Sequence, residues 1–331
     1  MSQQPLSQPT PLTSRAYPAA VGTAENARVW PALIETAKPG ITRLVTITAL
    51  FGFALEALAS RQLTLAEFAF RAVVVALGAG LASAGANALN MWMEPELDAR
   101  MARTAKRPLP AGTLSPNAVL TWGLLVSSAG VLLLLALAGP AAGLAALAGV
   151  ALYVLVYTPL KTRTVWNTLV GAVPGAVPPL IGAAAATTQP GFEPLTRPIG
   201  WSLFALMVVW QLPHFLAIAW MYRDQYAKAG MRMLPSVDRT GRATAATVVV
   251  TAAALLAVSF LPIVADGSIA GPVYAVAAAL TGLGYLALAI RLAVRRTDRA
   301  AKAVFFASIA HLPLLMLVLL AEAVVRTLVL V

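Results

Sequence analysis

Residues 117–138 read NAVLTWGLLVSSAGVLLLLALA, an apolar run without a single charged side chain. A helix of this length crosses the roughly 30 Å hydrocarbon core of a bilayer. The run is continuous rather than alternating, and far too long for a strand. Gly139-Pro140 ends it, and a second apolar run follows at once. Extended in both directions, the same reading finds nine such segments, near 41–60, 68–92, 117–138, 141–158, 165–186, 199–221, 243–264, 270–290 and 303–325. Lipid offers backbone groups no hydrogen-bond partners, so segments of this kind are helices. The chain is expected to be an all-α membrane protein with nine transmembrane helices.

Composition agrees. Of 331 residues 59% are hydrophobic and 11% charged, with mean hydropathy +0.79. A water-soluble domain carries about 25% charged residues, so too little polar surface exists here to coat a globule. Cysteine is absent, which excludes disulfides, thiolate metal sites and covalent c-type haem. Two histidines, His214 and His311, are too few for a multi-histidine metal centre.

Charge distribution sets the expected topology. With the N-terminus inside, Lys and Arg crowd the inner loops and only Arg61, Arg71, Arg197 and Arg326 fall outside, as the positive-inside rule requires. The net charge of +11 thus reflects inner loops rather than nucleic-acid binding. The N-terminus is placed in the cytoplasm and the C-terminus outside. Residues 1–37, rich in Ser, Gln, Pro and Thr, read as a disordered cytosolic tail, leaving 38–331 as a single nine-helix domain.

Acidic residues are scarce, yet Glu94, Glu96 and Asp98 cluster at the inner end of the second segment, just after Asn87 and Asn90. Asn90, Glu94 and Asp98 stand at i, i+4, i+8, about 40° apart in turn and about 6 Å apart along a helix. Oxygen donors stacked in this way suit Mg2+, which takes one or two carboxylates and keeps waters or phosphate oxygens. Pro95 interrupts the ladder, so either the helix kinks or a new one starts with Pro95 in its first turn. Lys106-Arg107-Pro108-Leu109-Pro110 follows, cations on a rigid turn that can take phosphate oxygens. A second polar cluster, Gln211, His214, Arg223, Asp224 and then Arg232-Met233-Leu234-Pro235, echoes this order at the inner end of the sixth segment. The echo predicts two parallel four-helix halves plus one extra helix, with both clusters on one inner cavity. Tyr157, Lys161 and Arg163 open the fifth segment, which is dense in Gly and Pro.

The run Asn90-x-x-x-Glu94-x-x-x-Asp98 resembles the first acidic motif of the intramembrane UbiA-type prenyltransferases. More finely, Lys38-Pro39-Gly40, Arg107 to Gly112, Tyr157 to Pro179, and Trp210-Gln211-x-Pro213-His214-Phe215 through Leu234-Pro235 resemble the protoheme IX farnesyltransferase (haem O synthase) subfamily. The resemblance covers roughly residues 36–325 and implies nine helices around a central cavity. It also implies farnesyl transfer from farnesyl diphosphate to a vinyl group of haem B, with Mg2+ as cofactor. Asn90, Glu94, Asp98 and Lys161 would then be catalytic. Asn90, Glu94, Asp98 and Asp224 would ligate the metal, while Arg43, Lys106, Arg107, Tyr157, Arg163 and Arg223 hold the diphosphate and His214 touches the haem. Haem B would be a substrate rather than a cofactor. The implied setting is the bacterial cytoplasmic membrane and its lipid, with a haem A synthase or cytochrome oxidase assembly factors downstream. The chain departs from the subfamily at Gln225-Tyr226, where Asp-Tyr is usual, at Lys228, and at His311, where Tyr is common. Competing readings are a UbiA-type enzyme with another acceptor such as a quinone precursor, a cation-coupled transporter, and a haem-binding scaffold.

Overall fold

The computed structural model describes residues 23–329, and among them every regular element is helical. In chain order these are α1 Thr23–Thr36, α2 Pro39–Ser60, α3 Leu65–Met93, α4 Pro95–Ala99, α5 Pro116–Leu137, α6 Pro140–Ala151, α7 Thr158–Leu160, α8 Asn167–Ala185, α9 Pro198–Met221, α10 Arg223–Ala229, α11 Leu234–Val237, α12 Arg242–Val258, α13 Leu261–Ala265, α14 Pro272–Arg295 and α15 Asp298–Val324. A π-helical stretch, Leu152–Tyr157, joins α6 to α7. Nine of the described segments are long and apolar enough to cross a membrane: Pro39–Ser60, Leu65–Met93, Pro116–Leu137, Pro140–Leu160, Asn167–Ala185, Pro198–Met221, Arg242–Ala265, Pro272–Arg295 and Asp298–Thr327. All nine coincide with the apolar runs of the sequence.

The chain turns sharply between spans. Gly139, at φ 107, lets α5 hand over to α6, and Pro140 then starts the new helix at a position where its missing N–H is harmless. Directly after Glu94, Pro95 opens α4 in its first turn, the second of the two alternatives for the proline break. Of the tail expected over 1–37, residues 1–22 lie outside the described ones, whereas Thr23–Thr36 is a helix. Its apolar face explains the difference. Ala32 is buried with Leu109, Leu114 and Val119, Val29 and Leu33 pack against them, and Trp30 meets Trp122 edge-on at 5.6 Å.

Helix α8 lies at the centre, packed between α2, α6 and α9, and its span is the most buried of the nine. Lipid provides no hydrophobic drive for helices to associate, so small residues that permit close approach do most of the work. Where α2 crosses α8, Gly52 lies against the Pro179 backbone and Gly182 against the carbonyl of Ala49. Gly85 and Gly130 similarly bring α3 onto the α5 backbone.

Polar ties fasten both ends of the bundle. At the end opposite the basic loops, Arg71 donates to the carbonyls of Ala185 and Thr187 at 3.0 and 2.9 Å. Glu56 is fully buried there and accepts from Arg197 Nε at 2.6 Å. Glu322 accepts from the N–H of Tyr274 at 2.6 Å and of Val273 at 3.3 Å, at the start of α14. These two acids serve helix packing.

Gly182→Ala puts a methyl group onto the Ala49 carbonyl and forces α2 from α8. A drop of several degrees in the detergent-solubilised unfolding temperature is expected, whereas Gly284→Ala on α14, where nothing lies within 4 Å, leaves it unchanged.

Candidate active site

At the basic end, α3 and α4 deliver Asn90, Glu94 and Asp98 to one cavity of about 430 Å³. All three side chains are buried, at 1%, 4% and 1% exposure. Charges so enclosed require partners, and the neighbouring helix ends supply them. Lys161, just after α7, donates to Glu94 Oε2 at 2.8 Å. Arg107, from the α4–α5 loop, reaches both Asp98 oxygens with Nη1 at 2.7 Å. Asn90 joins the pairs, donating through Nδ2 to Glu94 Oε2 at 2.8 Å and to Thr158 Oγ1 at 3.0 Å.

Lys38 enters from the elbow between α1 and α2, and its Nζ donates to Asn90 Oδ1 at 2.6 Å. The elbow is strained, because Lys38 has φ 48 and ψ 69, a left-handed conformation that costs an L-residue about 1–2 kcal/mol. Asn87 braces it by donating to the Ala37 carbonyl at 3.2 Å. Burial, with the charges of Arg107 and Lys161 beside it, lowers the Lys38 ammonium to about 7 against the opposing pull of Glu94 and Asp98. For Lys161 burial acts in the same direction, but Tyr157 and the Glu94 carboxylate outweigh it and hold this ammonium above its ordinary range. An anion placed among these cations therefore favours the charged form of Lys38.

The π-helical stretch turns Tyr153 and Tyr157 toward the cavity, and Lys161 Nζ lies 4.7 Å from the Tyr157 ring centre. The second half of the chain closes the site. Arg103 donates to the Tyr226 hydroxyl at 2.7 Å and lies over the rings of Tyr222 and Tyr226. The Arg232 N–H donates to the Lys161 carbonyl at 2.7 Å, and Met231 and Met233 line the wall. Tyr153 also borders a second cavity of about 560 Å³ between α2, α3, α6 and α8, lined by Ala82, Ala86, Gly149, Gly175 and other apolar groups. A cationic chamber thus adjoins an apolar slot.

The structure brings together Asn90, Glu94, Asp98, Arg107, Tyr157 and Lys161 from the sequence-expected set and leaves the others apart. Asp224 is exposed on α10 and absent from the cavity lining. On one helical turn it points away from Tyr226, which faces inward, so it stands apart from the other three expected metal ligands. Lys106 points out where its neighbour Arg107 is drawn in by Asp98, and Arg163 is likewise exposed. Arg43 lies on the outer face of α2, its Nε donating to the Pro39 carbonyl. Arg223 pairs instead with Asp298 at 2.7 Å. His214 turns toward α15, its Nδ1 2.6 Å from Ser308 Oγ and its ring stacked between Trp210 and Phe305, and it borders neither cavity. His311 is buried against Tyr285. Lys38, Arg103 and Tyr153 are site residues that sequence reasoning missed. Lys38 had stood out in the family-like segment Lys38-Pro39-Gly40 without a role, and the spacing Tyr153, Tyr157, Lys161 hinted at Tyr153.

The donors fit a hard divalent cation. Among the described residues no cluster of three His, Cys, Asp or Glu forms a full protein cage. Glu94 Oε1, however, is buried with no hydrogen-bond partner, an oxygen free to ligate on the cavity that Asp98 also lines. One bare carboxylate oxygen, with the Arg107-held Asp98 lining the same cavity, fits Mg2+ shared with phosphate oxygens.

Arg107→Met strands the Asp98 carboxylate. With Arg107 25% exposed, a loss near the low end of the range for broken buried pairs is expected, about 3 kcal/mol. Adding Asp98→Asn restores most of it, and equal losses in the single and double variants, measured by unfolding in detergent, would refute the pairing.

Comparison with known proteins supplies the family. Residues 45–310 match the UbiA prenyltransferase family. The chain is 43% identical over 287 residues to a protoheme IX farnesyltransferase of Solibacter usitatus, covering 85% of this chain and 95% of that one. It is 39% identical over 294 residues to that of Salinibacter ruber, covering 89% and 99%. Among solved structures, a digeranylgeranylglyceryl phosphate synthase superposes with TM-score 0.73 at 15% identity, covering 90% of this chain and 99% of that one. A UbiA homologue of Archaeoglobus fulgidus bound to GPP and Mg2+ gives 0.52 at 14% identity, covering 86% and 99%. At such identities the structures share the fold.

Proposed function

Because the chain belongs to the UbiA prenyltransferase family and is a multi-pass membrane prenyltransferase, we propose that it transfers the farnesyl group of farnesyl diphosphate to a vinyl side chain of haem B, giving haem O. The names of its relatives support this donor and acceptor. The observation that carries the reading is the chamber where Lys38, Arg103, Arg107 and Lys161 meet around Glu94 and Asp98, bordered through Tyr153 by the apolar slot. The diphosphate sits in the first and the isoprenoid tail in the second.

Glu94 and Asp98, with Asn90 fixing the Glu94 carboxylate, are the residues that would hold Mg2+. Bound there, the ion neutralises charge on the diphosphate, the role suggested by GPP and Mg2+ in the Archaeoglobus homologue. Lys38, Lys161, Arg103 and Arg107 stabilise the negative charge that grows on the departing diphosphate as the C–O bond breaks. The Tyr153 and Tyr157 ring faces and the small apolar residues of the slot keep water from the allylic cation. The terminal vinyl carbon of haem B gives its electron pair to that cation, forming the C–C bond. Water then adds to the adjacent carbon and loses one proton, leaving a hydroxyethyl group that carries the farnesyl chain. The basic end and the N-terminus face the cytoplasm of a bacterial inner membrane in this scheme, in keeping with the distribution of Lys and Arg.

Purified protein given haem B, farnesyl diphosphate and Mg2+ is expected to yield haem O by pigment mass analysis. Excess EDTA abolishes turnover, and Lys161→Met lowers kcat/KM by at least about 100-fold through lost transition-state charge stabilisation. Full activity under chelation would overturn the metal's part, and a prenylated quinone precursor in place of haem O would overturn the acceptor.

A further inference from the structure

A second basic cavity lies at the same end of the bundle and shares no lining residue with the chamber above. It opens between Trp220 and Arg223 at the α9–α10 junction, Pro235, Asp238 to Gly241 and Thr244 around the start of α12, and Arg296 in the α14–α15 loop. Three guanidinium groups from separate segments, Arg223, Arg239 and Arg296, therefore border one space.

One acid, Asp238, lines the cavity and a second, Asp298, lies beside it, and each is engaged by neighbours. Asp238 Oδ2 accepts from the Thr244 N–H and hydroxyl at 2.8 and 3.0 Å, and Oδ1 accepts from the Thr240 hydroxyl at 3.1 Å. Asp298 Oδ1 accepts from Trp220 Nε1 at 3.0 Å and from Arg223 Nη1 at 2.7 Å. Among the described residues this leaves Arg239 and Arg296 without a carboxylate partner. Arg296 also adopts a left-handed backbone, φ 48, where α14 ends, a conformation L-residues keep only when their surroundings impose it.

We infer that this cavity is a binding site for a phosphate-bearing anion. Planar guanidinium forks match phosphate oxygens in pairs, and cationic pockets between helix ends at the cytoplasmic face suit anionic lipid headgroups. The cavity lies where four spans end or begin, Pro198–Met221, Arg242–Ala265, Pro272–Arg295 and Asp298–Thr327, at a level that a lipid phosphate reaches from the bilayer and a free phosphate reaches from water. Occupancy has a consequence for the chamber. The stretch from α10 to α12 contributes Tyr226, Met231 and Met233 to the chamber and Pro235, Asp238 and Arg239 to this cavity, so an anion here braces a wall of the active site.

The full chain is placed in nanodiscs of phosphatidylcholine with or without phosphatidylglycerol, and separately in neutral detergent with inorganic phosphate. Thermal unfolding is compared for wild type, Arg239→Gln/Arg296→Gln, and the control Arg295→Gln/Arg299→Gln, which removes equal charge from exposed positions outside the cavity. Stabilisation of wild type and control by phosphatidylglycerol, with the half-effect concentration raised at least tenfold in the cavity variant, assigns a lipid headgroup. The same pattern with inorganic phosphate alone assigns a soluble phosphate. No stabilisation by either probe, or an equal response from the cavity and control variants, overturns the site. The readout is independent of prenyl transfer, so it stands or falls apart from the proposed reaction.

Discussion

A carboxylate taken out of water at the edge of a bilayer has to be met by positive charge or lose its own, and at its basic end this chain places two of them, Glu94 and Asp98, almost wholly out of solvent. The surrounding arrangement at that end follows. The α4–α5 loop folds back so that Arg107 can meet Asp98, and the turn after α7 carries Lys161 to Glu94. The elbow ahead of α2 bends into an unfavourable backbone region to bring Lys38 to Asn90. Cations outnumber acids in the chamber, which leaves a net positive space suited to a multiply charged anion. Each buried pair thus fixes helix ends in register and, in the proposed reaction, also preorganises charge for a leaving group.

The apolar side of the site rests on a different constraint. Helices in lipid approach closely only where side chains are small. The residues that let α2, α3 and α8 pack against one another belong to the same population of Gly and Ala that lines the slot beside Tyr153. Bulk would fill the slot and push the helices apart at once, so helix packing and the shape of the slot draw on one sequence feature.

The spans were legible because each is a long uninterrupted apolar run, and length and composition alone decide such a segment. Half of the chamber was legible as well. Asn90, Glu94 and Asp98 are close in sequence and polar where polarity is costly, and a helical repeat was enough to group them. The rest depended on direction. Lys106 and Arg107 are adjacent and chemically alike, and only the carboxylate of Asp98 decides which one turns inward. Asp224 and Tyr226 share one short helix whose inward face the sequence did not disclose, since the expected motif favoured the acid. Lys38 was visible as a basic residue ahead of the first span, but its partner lies 52 positions away and its inward path runs through a backbone bend no local pattern announces. The short α1 helix was missed because its composition resembles a solvated tail, while its few apolar residues find a surface on α3 and α5.

That bend at Lys38 sets two demands against each other. Backbone geometry at this position asks for glycine, whereas the chamber asks for an ammonium group that glycine lacks. A search for hardier variants scored by heat resistance alone would be drawn to relax the elbow and would remove a charge from the chamber in doing so. In the proposed reaction, robustness and catalysis therefore conflict at a single codon.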